Sequence, residues 1–303
     1  MKRVVACALA LCLTVCLFAG TASAAAREPI SKFTIPLADN VNLIEMTHAG
    51  GIFTDPKDVL QQHALTYQPG GDVRPMVIYG STLYGRSTMS KIATYLDNQN
   101  LSLVAGVNGS FFDMSTGIPY GLIVTDGVLR TSGNVNSVGF FKNGSAIIAS
   151  PDLHVLLTGG AFSDTEIFYN KVLTTTNGIG LYSRDYDTAT KNTVSAYNLV
   201  LKPVSGSDSE LTLSGEMTLE VTKITQSAAS CAIPAGGFVL SIAEQTSYAS
   251  VLANMKAFKV GDRVTVSVRC AEEGEDVSYA CGGGDLLVED ESALENFTLD
   301  TKN

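Results

Sequence analysis

Tryptophan is absent from the 303 residues, histidine occurs three times, and charged residues make up only 17% of the chain. Without tryptophan, the side chain that secreted carbohydrate-binding modules commonly use as a sugar platform is missing, and tyrosine has to serve. His48, His63 and His154 lie too far apart to suggest a metal cluster or a Ser-His-Asp constellation, so all three are read as structural. No Cys-x-x-Cys or Cys/His spacing points to zinc. A P-loop, a Rossmann fingerprint, a nucleophile elbow and an HExxH pattern are also missing, which argues against nucleotide hydrolases, dehydrogenases, serine hydrolases and zinc proteases. The sequence assigns no cofactor. Basic residues number 20 against 30 acidic ones, a formal charge of −10, so nucleic acid is a poor partner for this surface.

What is present begins with a leader. Lys2 and Arg3 form a positive start, Val4 to Phe18 an apolar stretch, and Ala22-Ser23-Ala24 a small-residue cleavage site. Residues 1–24 therefore read as a signal peptide, and the protein as secreted or extracytoplasmic. No later segment is apolar and long enough to cross a bilayer, so no membrane span is expected after cleavage. Three cysteines follow the leader, Cys231, Cys270 and Cys281, an odd number for an exported chain. Two readings stay open: a Cys270–Cys281 bridge across the acidic loop Glu272 to Asp276, read as a hairpin connection, or three reduced, small-hydrophobic side chains.

Alternation of Phe33, Ile35 and Leu37 marks an extended lead-in that docks on a sheet edge. Leu60 to Tyr67 and Val73 to Tyr79 read as strands joined by the turn Pro69-Gly70-Gly71-Asp72. Ser87 caps a helix running to Asn98, with Met89, Ile92, Ala93 and Leu96 on one face. Ser137 to Phe141 and Ser145 to Ala149 form a hairpin turning at Asn143-Gly144. From about residue 151 to 280 short β-rich runs are separated by close turns, an antiparallel β-rich insertion with one short helix, Tyr248 to Met255. The expected class is α+β: a strand-dominated mixed sheet with a few packed helices.

The most informative segment is VAGVNGSFFDMSTGIPYGLIVTDG, residues 104–127. Val104, Ala105 and Val107 read as a core strand, Leu103 to Val107, packed in front of the helix. Asn108-Gly109 supplies a sharp turn. Phe111 and Phe112 anchor that turn, and Gly117, Pro119 and Gly121 lead into the strand Leu122 to Thr125 and the Asp126-Gly127 hairpin turn.

This segment resembles the signature of the phosphodiester glycosidase domain, the family of N-acetylglucosamine-1-phosphodiester alpha-N-acetylglucosaminidase and of many secreted bacterial homologues. The likeness extends to Pro75 to Gly80, to Gly178-Ile179-Gly180-Leu181-Tyr182-Ser183, and to Cys281-Gly282-Gly283-Gly284-Asp285-Leu286-Leu287-Val288. On this resemblance, residues 25–303 form a phosphodiester glycosidase-like domain with residues 151–280 inserted. It implies a hydrolase of phosphodiester-linked sugars, acting on a sugar phosphodiester or a cell-wall or capsular glycan. The chain departs from the family pattern in two ways. The Arg-Thr-Ala-x-Gly and Asn-Leu-Asp-Gly-Gly-Gly-Ser elements do not occur, and Asp285 stands where proline is usual. An incomplete enzyme is therefore expected, with a non-catalytic exported glycan-binding protein or an inert fragment as the alternatives.

Asn108, with Gly109 of the same turn, is the first-choice substrate ligand, because a carboxamide both donates and accepts hydrogen bonds. The other reading is a turn residue. Asp113 is the best-placed carboxylate for a catalytic role, orienting water or a sugar hydroxyl or binding a cation; the other reading is a helix or turn cap. Gly282, Gly283 and Gly284 would let backbone N–H groups approach an anion as a nest.

Overall fold

The computed structural model describes residues 29–49, 59–284, 288–289 and 292–293. The expected signal peptide and Asp285 lie outside these residues. The chain divides into two compact units, residues 1–72 and 73–303.

The first unit is a three-stranded antiparallel meander of β1 (Ser31–Ala38), β2 (Val41–Ala49) and β3 (Val59–Tyr67). The lead-in forms β1, an edge strand of this sheet. It pairs with β2, Ile35 opposite Leu43, and β2 pairs in turn with β3. Asn40 closes the far end by donating from Nδ2 to the Gln68 carbonyl at 2.9 Å.

The second unit carries a closed barrel and a five-stranded sheet. The barrel strands are β8 (His154–Gly159), β9 (Phe162–Tyr169), β10 (Ile179–Tyr182), β11 (Ala196–Pro203), β12 (Glu216–Ala228), β13 (Phe238–Ala243) and β14 (Arg263–Arg269). They close in the order β10-β13-β11-β12-β14-β8-β9. Period-2 patterning marks the inward face most clearly in β14. In β14, Val264, Val266 and Val268 are buried while Arg263 and Arg269 face water. Leu157, Leu199, Leu201, Met217, Leu219 and Leu240 fill the interior with them. One pair departs from the antiparallel expectation: β10 runs parallel to β9.

The five-stranded sheet has the order β5-β4-β15-β6-β7, from β4 (Ile123–Thr125), β5 (Val128–Thr131), β6 (Ser137–Phe141), β7 (Ala146–Ala149) and β15 (Val277–Gly282). The chain thus leaves the sheet after β7, builds the barrel, and returns as β15 between β4 and β6. Asp126 and Gly127 both take positive φ, 54° and 75°, the turn an Asp-Gly hairpin needs. The β6–β7 hairpin turns at Asn143-Gly144 as its sequence suggests, with Asn143 Oδ1 accepting from the Ser145 N–H at 2.9 Å.

The acidic loop is not a hairpin connection. Its 3-10 turn, Glu272–Gly274, carries the chain from barrel strand β14 to sheet strand β15, which do not pair. Cys231, Cys270 and Cys281 are all free thiols, and burial raises the pKa of each.

The molecule is strand-dominated. Two α-helices occur among the described residues, α1 (Met89–Asn98) and α2 (Ala249–Ala257), each with one buried side chain, Leu96 and Met255. Thr88, not Ser87, caps α1, its Oγ1 accepting from the Lys91 N–H at 3.4 Å. The two strands expected on either side of α1 do not form. Val73 to Tyr79 and Leu103 to Val107 are irregular, and Leu103, Val104 and Val107 are exposed, Val107 at 81%. Apolar, β-branched composition favours a strand only where a neighbouring strand completes the ladder, and none does so here among the described residues.

Candidate functional site

The signature residues fold as a small hairpin. Tyr120 N–H donates to the Phe111 carbonyl at 2.9 Å, Asp113 N–H to Ile118 at 2.9 Å, and Phe112 bridges Pro119. Gly117, at φ 79°, makes the turn, and a side chain there would collide with the Gly85 carbonyl. The 83–85 strip in turn donates from Leu83 N–H to Asp185 O at 2.7 Å.

Asp113 organises this turn. Its Oδ1 accepts from Ser115 Oγ at 2.5 Å, Ser115 N–H at 2.9 Å, Thr116 N–H at 2.8 Å and Thr116 Oγ1 at 2.9 Å. The hydroxyl of Ser115, then the backbone N–H of Thr116, hold its carboxyl down at about 2. Such a carboxylate stays ionised through the working range, so it is suited to orienting a hydroxyl and unsuited to proton transfer near neutrality.

Sequence-remote candidates do meet. A Cβ added to Gly109 would stand 3.1 Å from Cys281 Sγ, and one on Gly284 would stand 3.1 Å from the Phe111 ring. Gly282 approaches Gly121 so closely that a Cβ on either would lie 2.5 Å from the other's Cα. The anion nest does not survive. Gly282 N–H donates to Leu122 O at 3.0 Å and Gly283 N–H to Asn136 O at 2.6 Å, so two of the three donors are spent inside the protein. Their glycine identity serves close backbone packing instead.

Asn108 is exposed, at the end of the irregular 101–109 segment rather than of a strand. Phe111 and Phe112 do not anchor the turn from inside; they face solvent, Phe111 at 69%, and Tyr120 on the same hairpin is 59% exposed. The hairpin and the turn before it therefore expose a carboxamide and three aromatic rings beside close-packed glycines. Two clefts of the protein are lined by other residues, one by Leu122, Ile147 and Cys270, the other by Ser132, Asn134 and Glu166.

Sequence reading passed over two constellations. In the first, Arg130 of β5 donates from Nη1 to Asp185 Oδ2 at 3.2 Å and to Glu210 Oε1 at 3.3 Å, and from Nε to Thr125 Oγ1 at 2.7 Å. Tyr79 OH donates to Asp185 Oδ1 at 2.9 Å. Burial, then Asp185, raises the Tyr79 phenol well above its ordinary range. Burial alone would lower Arg130, but Asp185 and Tyr79 outweigh it and raise it. In the second, Lys171 Nζ donates to the carbonyls of Pro119, of Tyr120 at 3.1 Å and of Gly121 at 3.0 Å. Burial pulls that ammonium down to about 7. The one signal in sequence was an arginine or lysine standing beside apolar strand residues, in Val128-Leu129-Arg130 and Phe168-Tyr169-Asn170-Lys171.

No group of three or more His, Cys, Asp or Glu side chains among the described residues is arranged to hold a metal ion. None of their helices is long and apolar enough to cross a membrane.

No protein-family model matches the chain, and no curated protein matches it. In fold it is similar to the crystal structure of a hypothetical protein from Synechocystis, with a TM-score of 0.63 and 15% identity, covering 88% of this chain and 46% of that one. A presumed exported protein of Burkholderia pseudomallei K96243 overlays with a TM-score of 0.47 and 15% identity, over 81% of this chain and 49% of that one. The chain spans about half the length of each. At this identity the Synechocystis likeness speaks to the fold alone.

Proposed function

We propose that this protein is a secreted, phosphodiester glycosidase-type protein that recognises phosphodiester-linked sugars at the Asn108–Phe112 face. One observation carries the reading: the signature turn lies against the glycine run, Gly109 on Cys281 and Phe111 on Gly284, although about 170 residues of chain separate them. A carboxamide among solvent-facing rings suits a sugar, whose hydroxyls need paired donors and acceptors and whose C–H faces stack on aromatics. In the hydrolytic reaction a phosphate ester is a good leaving group and needs little general-acid help. The demand falls on positioning, for which Asn108 and Asp113, ionised near neutrality, are suited. The α+β description of the catalytic-type domain, with the β-rich stretch inserted, belongs to the same proposal.

A non-catalytic glycan-binding role is the second reading, favoured by the low Asp113 pKa, which makes that carboxylate a poor proton donor near neutrality. Titration of the secreted chain with a chromogenic sugar phosphodiester separates the readings. Binding with slow or no turnover is expected. Rapid turnover would restore a full enzyme, and no binding at millimolar sugar would end both readings. Asn108→Ala should weaken binding by roughly 1–3 kcal/mol with the melting temperature unchanged. A lower melting temperature with unchanged affinity would reduce Asn108 to a turn residue.

A further inference from the structure

Lys171 follows barrel strand β9, and its ammonium is seated on three successive backbone carbonyls, of Pro119, Tyr120 and Gly121. No charged side chain among the described residues acts on it. The acid of the neighbouring network, Asp185, is paired with Arg130 and Tyr79 and reaches the Lys171 side of the chain only through Ser183 and Asn170. A lysine without a carboxylate partner is retained in a largely buried position only where its donors are satisfied, and here the backbone does so.

The strip it grips is held on two further sides. A Cβ on Gly133 would stand 2.5 Å from the Tyr120 carbonyl oxygen, and Gly121 touches Gly282. These are contacts of shape; Lys171 supplies the polar grip. The strip also forms one strand of the signature hairpin, since Tyr120 N–H donates to Phe111 O. Whatever fixes the carbonyls of 119–121 therefore fixes the backbone that carries Tyr120 and Phe111.

We propose that Lys171 is the positioning residue of this face, a latch from the barrel that sets the signature hairpin by holding three of its carbonyls. The latch stands on the geometry. Its service to a sugar site rests on the function proposed above.

Hydrogen exchange of the full chain reads the latch without any ligand. In Lys171→Met and Lys171→Ala, the amides of Asp113 and Tyr120, which close the hairpin, should exchange at least tenfold faster, with barrel amides such as those of β13 unchanged. Propylammonium chloride restores the three methylenes and the ammonium that Lys171→Ala removes, and should return the protection. Tetramethylammonium chloride has no N–H to give and should not. Unchanged hairpin exchange in both variants would overturn the proposal, as would equal loss of protection across hairpin and barrel, or equal rescue by both salts. The sugar phosphodiester titration, repeated on Lys171→Met, should show at least tenfold weaker binding. If the wild-type chain binds no sugar while the exchange result holds, the function reading fails and the latch stands.

Discussion

Asp113 shows how one side chain can be well placed for chemistry and committed to structure at once. All four hydrogen bonds to its carboxylate converge on Oδ1 and hold the 113–117 turn. Asp113→Ala should free those donors and loosen the hairpin, seen as faster exchange at Ser115 and Thr116. Asp113→Asn should retain part of the turn, because its amide oxygen still accepts. If Asp113→Asn lost sugar binding with the turn intact, the charge itself would be at work. Lys171 makes a prediction of opposite kind. Its ammonium titrates near 7 in the folded protein and near the ordinary lysine value unfolded, so between those values the unfolded chain holds more protons. Stability from this group therefore rises as pH climbs from about 7 towards 10 and is flat below 7. The slope is at most about 1.4 kcal/mol per pH unit. Denaturant midpoints of wild type and Lys171→Met across pH 6 to 10 check it: the difference between them should favour the variant most at the acid end.

At the scale of elements, the barrel and the segment around residues 101–109 answer differently to substitution. Leu199 is fully buried in β11 and packs in the barrel core, so Leu199→Ala should cost about 2–5 kcal/mol through lost burial and the cavity left behind. Val107→Lys, at a position equally apolar in sequence but exposed, should change stability by less than about 0.5 kcal/mol. Urea titrations of the two variants test the contrast. A large loss at Val107 would mean that this segment is covered in solution. In β4–β5, Asp126 and Gly127 carry positive φ, and Tyr279 OH donates to Asp126. Gly127→Val should therefore be strongly destabilising, because a β-branched residue resists that conformation.

For the whole molecule, alternation and turn chemistry determined a good deal unaided. The β-rich character of residues 151–280 and the hairpins at Asp126-Gly127 and Asn143-Gly144 were legible because each depends on near neighbours: short apolar runs between close turns, and glycine where φ must be positive. The predominance of strands followed from the same signals. Only the tertiary structure decided closure of seven strands into a barrel, with β10 parallel to β9, and the return of β15 into the first sheet. Some ladder partners stand far apart in sequence, Val155 opposite Val268 and Val124 opposite Ala280, and no local pattern encodes them. The same cause left Leu103 to Val107 irregular despite its composition. The candidate site divides likewise. The signature residues name themselves, whereas the spent N–H groups of Gly282 and Gly283, the Arg130–Asp185 pair and the Lys171 grip exist only once distant backbones are brought within hydrogen-bond reach.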